Sequence, residues 1–160
     1  MTLDEWVRMA VHRNMICGEY SAKVEMAHSR HDIFRILCDA NGVSFIAELE
    51  NAGITIPYDI LKKDFVNFLN GKKIMEYDGY TSCMYCDYEE PIRVETTLVS
   101  LLRCKCDITV PNNRYPSIIL NKDCDVTITL LSGARLNLNV FNGAKFSIIG
   151  DQTRVRVNRR

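Results

Sequence analysis

The sequence predicts an α+β chain, with a small helical domain over 1–75 and a repetitive β domain over 76–160. Two observations carry this. Apolar residues recur at helical spacing up to about residue 75 and alternate with polar ones beyond it. The second half also contains a ten-residue repeat that aligns position for position.

The helical half divides at its capping residues. Thr2 and Glu5 form a T-x-x-E capping box, in which hydroxyl and carboxylate each satisfy an orphan N–H, so a first helix is expected from Leu3 to Met15. Its apolar face is Trp6, Met9 and Ala10, extended by Ile16, with Trp6 also placed to cover a neighbouring domain. Ser21 is expected to cap a short helix through Met26. Ser29 and Asp32 repeat the capping logic for a third, Arg30 to Asp39, which buries Ile33, Phe34, Ile36 and Leu37 and ends at Asn41-Gly42. A fourth runs from Val43 or Ser44 to Asn51. Pro57 suits the first turn of a fifth, which carries Ile60, Leu61, Phe65, Phe68 and Leu69 to Asn70 and stops at Gly71. Helices this short need one another's apolar faces.

In the β half, Lys122-Asp123-Cys124-Asp125-Val126-Thr127-Ile128, Ser132-Gly133-Ala134-Arg135-Leu136-Asn137-Leu138 and Asn142-Gly143-Ala144-Lys145-Phe146-Ser147-Ile148 superpose, and Asp151 to Val157 form a shortened fourth copy. Each unit is a tight turn, a small residue, an outward polar residue and an alternating strand. Cys106, Ile108 and Val110 fall on the phase of Val126, Ile128 and Leu130, so the repeat extends back to about residue 103. A short β-solenoid or roll is expected, because copies in the same small-polar-apolar order imply translation of one unit. The alternative is an antiparallel meander or sandwich, for which Asn142-Gly143 would serve as a hairpin turn.

Composition narrows the function classes. With 160 residues, 47% hydrophobic and 25% charged, the chain is neither a disordered tail, a collagen-like fibre nor a large multidomain enzyme. Asp4, Glu5 and Arg8 interrupt any signal-peptide run, no apolar stretch is long enough for a membrane span, and the seven scattered cysteines fit a reducing, cytoplasmic setting. The formal charge of +0 hides a gradient. Residues 1–75 carry 9 basic and 10 acidic side chains, 76–125 carry 5 and 9, and 126–160 carry 6 and 1. In the ten-residue register Asp125, Arg135, Lys145 and Arg154 take equivalent or near-equivalent outward positions, with Arg156, Arg159 and Arg160 beyond them. Stacked repeats would gather the six basic ones into a basic face for an acidic protein surface or a nucleic acid backbone. The competing reading is that they protect an edge strand from aggregation.

Other chemistry has fewer parts. Cys83-x-x-Cys86 followed by Cys104-x-Cys106 approximates a zinc-ribbon spacing. C-x-C on an alternating strand, however, puts both thiols on the face of Ile108 and Val110, where cysteines are inert core residues. No βαβ pattern supports a CxxC redox centre. His12, His28 and His31 have no carboxylate or thiol cluster to complete a metal set. Asp87, Glu89, Glu90 and Glu95 read as a solvated loop broken by Pro91, and no nucleophile elbow, P-loop or H-E-x-x-H occurs.

The segments Asn70-Gly71-Lys72-Lys73-Ile74, Asp78-Gly79-Tyr80-Thr81-Ser82, Met84-Tyr85-Cys86-Asp87-Tyr88 and Thr96-Thr97-Leu98, followed by turn-strand units, resemble uncharacterised small prophage proteins of gut Bacteroidetes. The resemblance implies a phage accessory protein and names no active residue. The expectation is thus a non-enzymatic, cofactor-free interaction protein that binds a host or phage protein or forms a homo-oligomer through its β domain. Two alternatives stand beside it: a nucleic-acid-associated regulator using the basic face, and a zinc-stabilised binding module.

Overall fold

Among the described residues two short helices, α1 (Leu3–His12) and α2 (Gly18–Glu25), precede ten strands. The strands are β1 (Ile74–Tyr77), β2 (Tyr80–Cys86), β3 (Ile92–Arg93), β4 (Leu98–Leu102), β5 (Lys105–Val110), β6 (Ser117–Leu120), β7 (Asp125–Leu130), β8 (Leu136–Val140), β9 (Lys145–Ile149) and β10 (Val155–Arg159). The structure, a computed structural model, describes residues 2–13, 18–29, 32–33, 36, 71, 73–77, 79–141 and 143–160. The fourth and fifth expected helices, most of the third, His31, Cys17 and Cys38 lie outside the described residues.

The first capping box forms as expected. The Thr2 N–H donates to Glu5 Oε2 at 2.7 Å and the Glu5 N–H donates to Thr2 Oγ1 at 3.2 Å. Trp6, Val7 and Ala10 are the buried positions described on α1, so the face is turned from Met9 toward Val7. The second helix begins before Ser21, which lies inside it, and buries Tyr20 and Val24. Ser29 and Asp32 also bond reciprocally, the Ser29 N–H to Asp32 Oδ2 at 2.9 Å and the Asp32 N–H to Ser29 Oγ at 3.2 Å. Arg8 Nη2 donates to the Ala27 carbonyl and Tyr20 Oη to the Ile36 carbonyl, which ties these segments together.

The strands alternate between two sheets, ordered β1-β2-β4-β6-β8-β10 and β3-β5-β7-β9. Every pairing is parallel except β1 with β2. This is a β-solenoid of about four coils, not a meander. Asp125 pairs with Lys145 and Ser117 with Asn137, so one coil advances twenty residues and contains two copies of the ten-residue repeat, one in each sheet.

Inside, like residues stack: Ile92, Ile108, Ile128 and Ile148 in the four-stranded sheet, and Cys83, Val99, Ile118 and Leu138 in the six-stranded one. Ile108, Ile128, Ile118 and Leu138 are 0% exposed. Parallel stacking at about 4.8 Å brings identical shapes into contact along each column, which is why the repeat preserves residue type.

The corners stack as well. Asp87, Arg103, Asp123 and Gly143 occupy one position of successive coils, all with positive φ, at 50°, 52°, 69° and 93°. Next to it, Tyr88, Cys104, Cys124 and Ala144 occupy one position of successive coils, large only in the first of them. The buried Asn121 ties that corner to the preceding coil, its Nδ2 donating to the Leu101 carbonyl at 2.7 Å and to Ser100 Oγ at 3.3 Å.

Candidate functional site

The two sheets present different outer faces. On the six-stranded sheet, Met84, Ser100, Leu102 and Ile119 point away from the solenoid interior and are nonetheless buried. Later coils carry asparagines there, at Asn137, Asn139 and Asn158. Asn158 Nδ2 donates to Asn137 Oδ1 at 2.9 Å. The four-stranded sheet is polar outside up to its last strand, with Asp107-Thr127-Ser147 as one column and Thr109-Thr129 ending on Ile149 as another.

The six basic residues do not share one column. Because consecutive repeats enter different sheets, Arg135 and Arg154 lie side by side before β8 and β10, and Arg156 pairs with Asn137 just beyond. Lys145 begins β9 in the other sheet, at the corner that β10 approaches with Arg159 and Arg160. Arg154 Nε is held by Asp151 Oδ2 at 3.1 Å. Hydrogen bonds from the Thr153 hydroxyl and N–H, aided by Arg154, hold the Asp151 carboxyl below its usual range. Arg159 continues an interior column, pairing with Val140, and its guanidinium lies 5.5 Å from the centre of the Phe146 ring.

This last contact marks the open end of the solenoid. Among the described strands, β9 and β10 each have a neighbour on one side only. Phe146, Ile148 and Val155, interior by register, are only partly buried, and Val157 is 41% exposed. On the outer face of the same coil Ile149 is 57% exposed. An apolar end rimmed by Lys145, Arg154, Arg156, Arg159 and Arg160 can bury area and attract negative charge at once. The sequence hinted at it through the shortened last repeat and the basic composition. The apolar component was missed because alternation looks identical in a covered and an uncovered coil.

The cysteines are dispersed by their strands. Cys83 points into the interior while Cys86, three residues on, points to the opposite face of β2. Cys104 Sγ donates to the Tyr85 carbonyl at 3.3 Å and Cys124 Sγ to the Leu101 carbonyl at 3.4 Å. Among the described residues no group of three or more His, Cys, Asp or Glu could hold a metal ion. Burial pushes the Cys83 thiol up, and Cys106 up to about 11; hydrogen bonding with Cys124, then burial, pushes up that of Cys104.

A cavity of about 230 Å³ opens near the other end of the solenoid, lined by Cys83, Tyr85, Ile92, Thr96 and Val99 with Lys73 and Glu95. Its thiol is held neutral, and the Thr96 hydroxyl is bonded to the Leu98 carbonyl at 3.0 Å, so the lining offers no activated nucleophile. Tyr85, its phenol pushed up to about 12 chiefly by burial, is no acid or base near neutrality. Compared with known proteins, the chain matches no family model, no curated protein and no solved structure. No helix among the described residues is long and apolar enough to cross a membrane.

Proposed function

We propose that this protein is a non-enzymatic interaction module whose docking surface is the open, basic-rimmed end of its solenoid. The observation that carries this reading is the contrast along the interior columns. Leu138 is fully buried, while its neighbour Val157 in the last coil is 41% exposed. A protein partner covering that coil would bury Val157, Ile148 and Phe146 and complete two strand edges, whose unpaired N–H and C=O groups otherwise depend on water. Nucleic acid is less well matched. Arg154 is engaged by Asp151 and Arg159 by Phe146, which leaves fewer free cations for phosphates. The resemblance to prophage proteins supports an accessory role in such an element.

A photo-crosslinking amino acid placed at Val157 or at Ile149 tests the surface in expressing cells, with Thr127 in the middle of the four-stranded sheet as control. Protein adducts at both end positions and none at Thr127 are expected. Adducts at Thr127 alone, or at none of the three, would overturn the proposal.

A further inference from the structure

The six-stranded sheet is closed at one edge and open at the other. At the first edge the chain itself adds β1, a strand of four residues that runs antiparallel to β2. At the last edge, among the described strands, nothing pairs with the far side of β10.

Hydrogen bonding fixes which groups of β10 face that edge. The Arg160 N–H donates to the Val140 carbonyl at 3.0 Å, as the Asn137 N–H donates to the Pro116 carbonyl one coil earlier. Donors to one neighbour come from alternate residues of a strand. Arg156, Asn158 and Arg160 therefore turn their amides toward β8, and Val155, Val157 and Arg159 turn theirs toward the open edge. The same three residues continue the interior columns, because they pair with the buried Leu136, Leu138 and Val140. Open backbone groups and uncovered apolar side chains thus belong to the same positions, with Val157 in the middle.

Charge selects what can sit there. Residues 151–160 carry four arginines and one acid, Asp151, which is taken by Arg154. Arg156 is exposed on the outer face beside the neutral Asn137. Arg159 is exposed at the end of the interior column, against the Phe146 ring. β9, the other strand with one neighbour, carries only Lys145.

We infer that the occupant of the open end is an extended acidic peptide segment that adds to β10 as the next strand of the six-stranded sheet. This rests on the open end being the docking surface, and it names the chemistry of the partner. A strand laid here in either direction alternates its side chains between the interior and the outer face. Its inward residues over Val155 and Val157 are apolar. Its outward residue beside Arg156 is an acid, and so is the one that reaches Arg159, because opposite charges on neighbouring strands attract. Backbone bonds then supply affinity and the side-chain phase supplies specificity. A single strand brings no coil with it, so it needs only the level beyond β10, just as β1 takes only the level before β2. A nucleic acid offers phosphates to the arginines but no N–H and C=O ladder to the edge.

Fluorescence anisotropy of a labelled octapeptide of alternating glutamate and valine, titrated with the full chain, tests the inference. Binding should saturate at low salt and weaken at high salt. Octapeptides of alternating lysine and valine, or of glutamate alone, should each bind about tenfold more weakly or worse. Two N-methylated forms of the first peptide, one blocked at every valine and one at every glutamate, isolate strand addition. Only one set of N–H groups can face β10, so one form should lose about tenfold in affinity and the other should keep it. The exposed double variant Arg156→Glu with Arg159→Glu should also bind about tenfold more weakly, with an unchanged circular dichroism spectrum. The acidic strand is overturned if binding does not saturate by about 1 mM, if the two methylated forms bind alike, or if an oligothymidylate of equal length binds tighter than the peptide. Crosslinks from Val157 to a protein in cells would in that case leave the docking surface itself standing.

Discussion

The corners are where single residues decide most. A position with φ near +60° costs an ordinary L-residue about 1 kcal/mol, and the chain accepts that cost at Asp87, Arg103 and Asp123 before Gly143 relieves it. Asp123→Gly is therefore expected to stabilise the protein by about 0.5–1 kcal/mol in urea denaturation, the strain relief exceeding the added chain entropy. Gly150 is the opposite case. Its φ is +119°, and a Cβ there would lie 2.8 Å from the Leu130 carbonyl oxygen, which is backbone and cannot swing aside. Gly150→Ala should cost roughly 2 kcal/mol or more, and a loss below about 0.5 kcal/mol would show that this corner can shift.

Buried thiols add a pH dependence. The Cys106 thiol is raised from 9.0 to about 11 in the folded chain, mainly by burial, so the folded state favours its neutral form. Its contribution is fully present below pH 9 and is lost as pH rises through about 11, with Tyr85, raised from 10.0 to about 12, acting in the same direction at higher pH. Thermal midpoints should be flat toward pH 9 and then fall, and Cys106→Val should shrink the fall. An unchanged alkaline slope in that variant would assign the loss to other groups.

At the scale of elements, the ten-residue repeat was legible and so was the solenoid, since Cys124, Ala134 and Ala144 recur at a fixed step and hairpins would not require that. Periodicity does not reveal how many repeats close one coil. Ten residues make half a coil here, so residues twenty apart stack and residues ten apart lie on opposite sheets. That is why Arg135 and Lys145, equivalent in the alignment, stand apart in space, and why Lys105 and Glu89, outside the clear repeats, are the true neighbours of the Asp125–Lys145 column. Two caps of the helical half were legible, because Thr2/Glu5 and Ser29/Asp32 depend on local bonds alone, while Ser21 lies inside the helix it was expected to cap. It was less so in α1's buried face, which depends on what packs against it.

The stacking predicts a gradient in core sensitivity. Ile128 lies between Ile108 and Ile148 and is fully buried, whereas Ile148 has a neighbour on one side and is only partly buried. Ile128→Ala should cost about 3–4 kcal/mol, within the range for fully buried aliphatics, and Ile148→Ala about half that. Equal losses in denaturant melts would mean that the last coil is covered in solution.

For the whole molecule, the solenoid is a one-dimensional stack in which each coil is stabilised by its two neighbours, so a coil with one neighbour opens more easily. Amide hydrogen exchange in dilute, high-salt solution should thus show β5 to β8 as the best protected strands and β9 and β10 as the least, because Val157 and Ile148 give up part of the burial that Leu138 and Ile128 have in full. Uniform protection along the coils in the dilute protein would show that the last coil is as stable as the interior ones, and the open end would lose its energetic reason to bind anything.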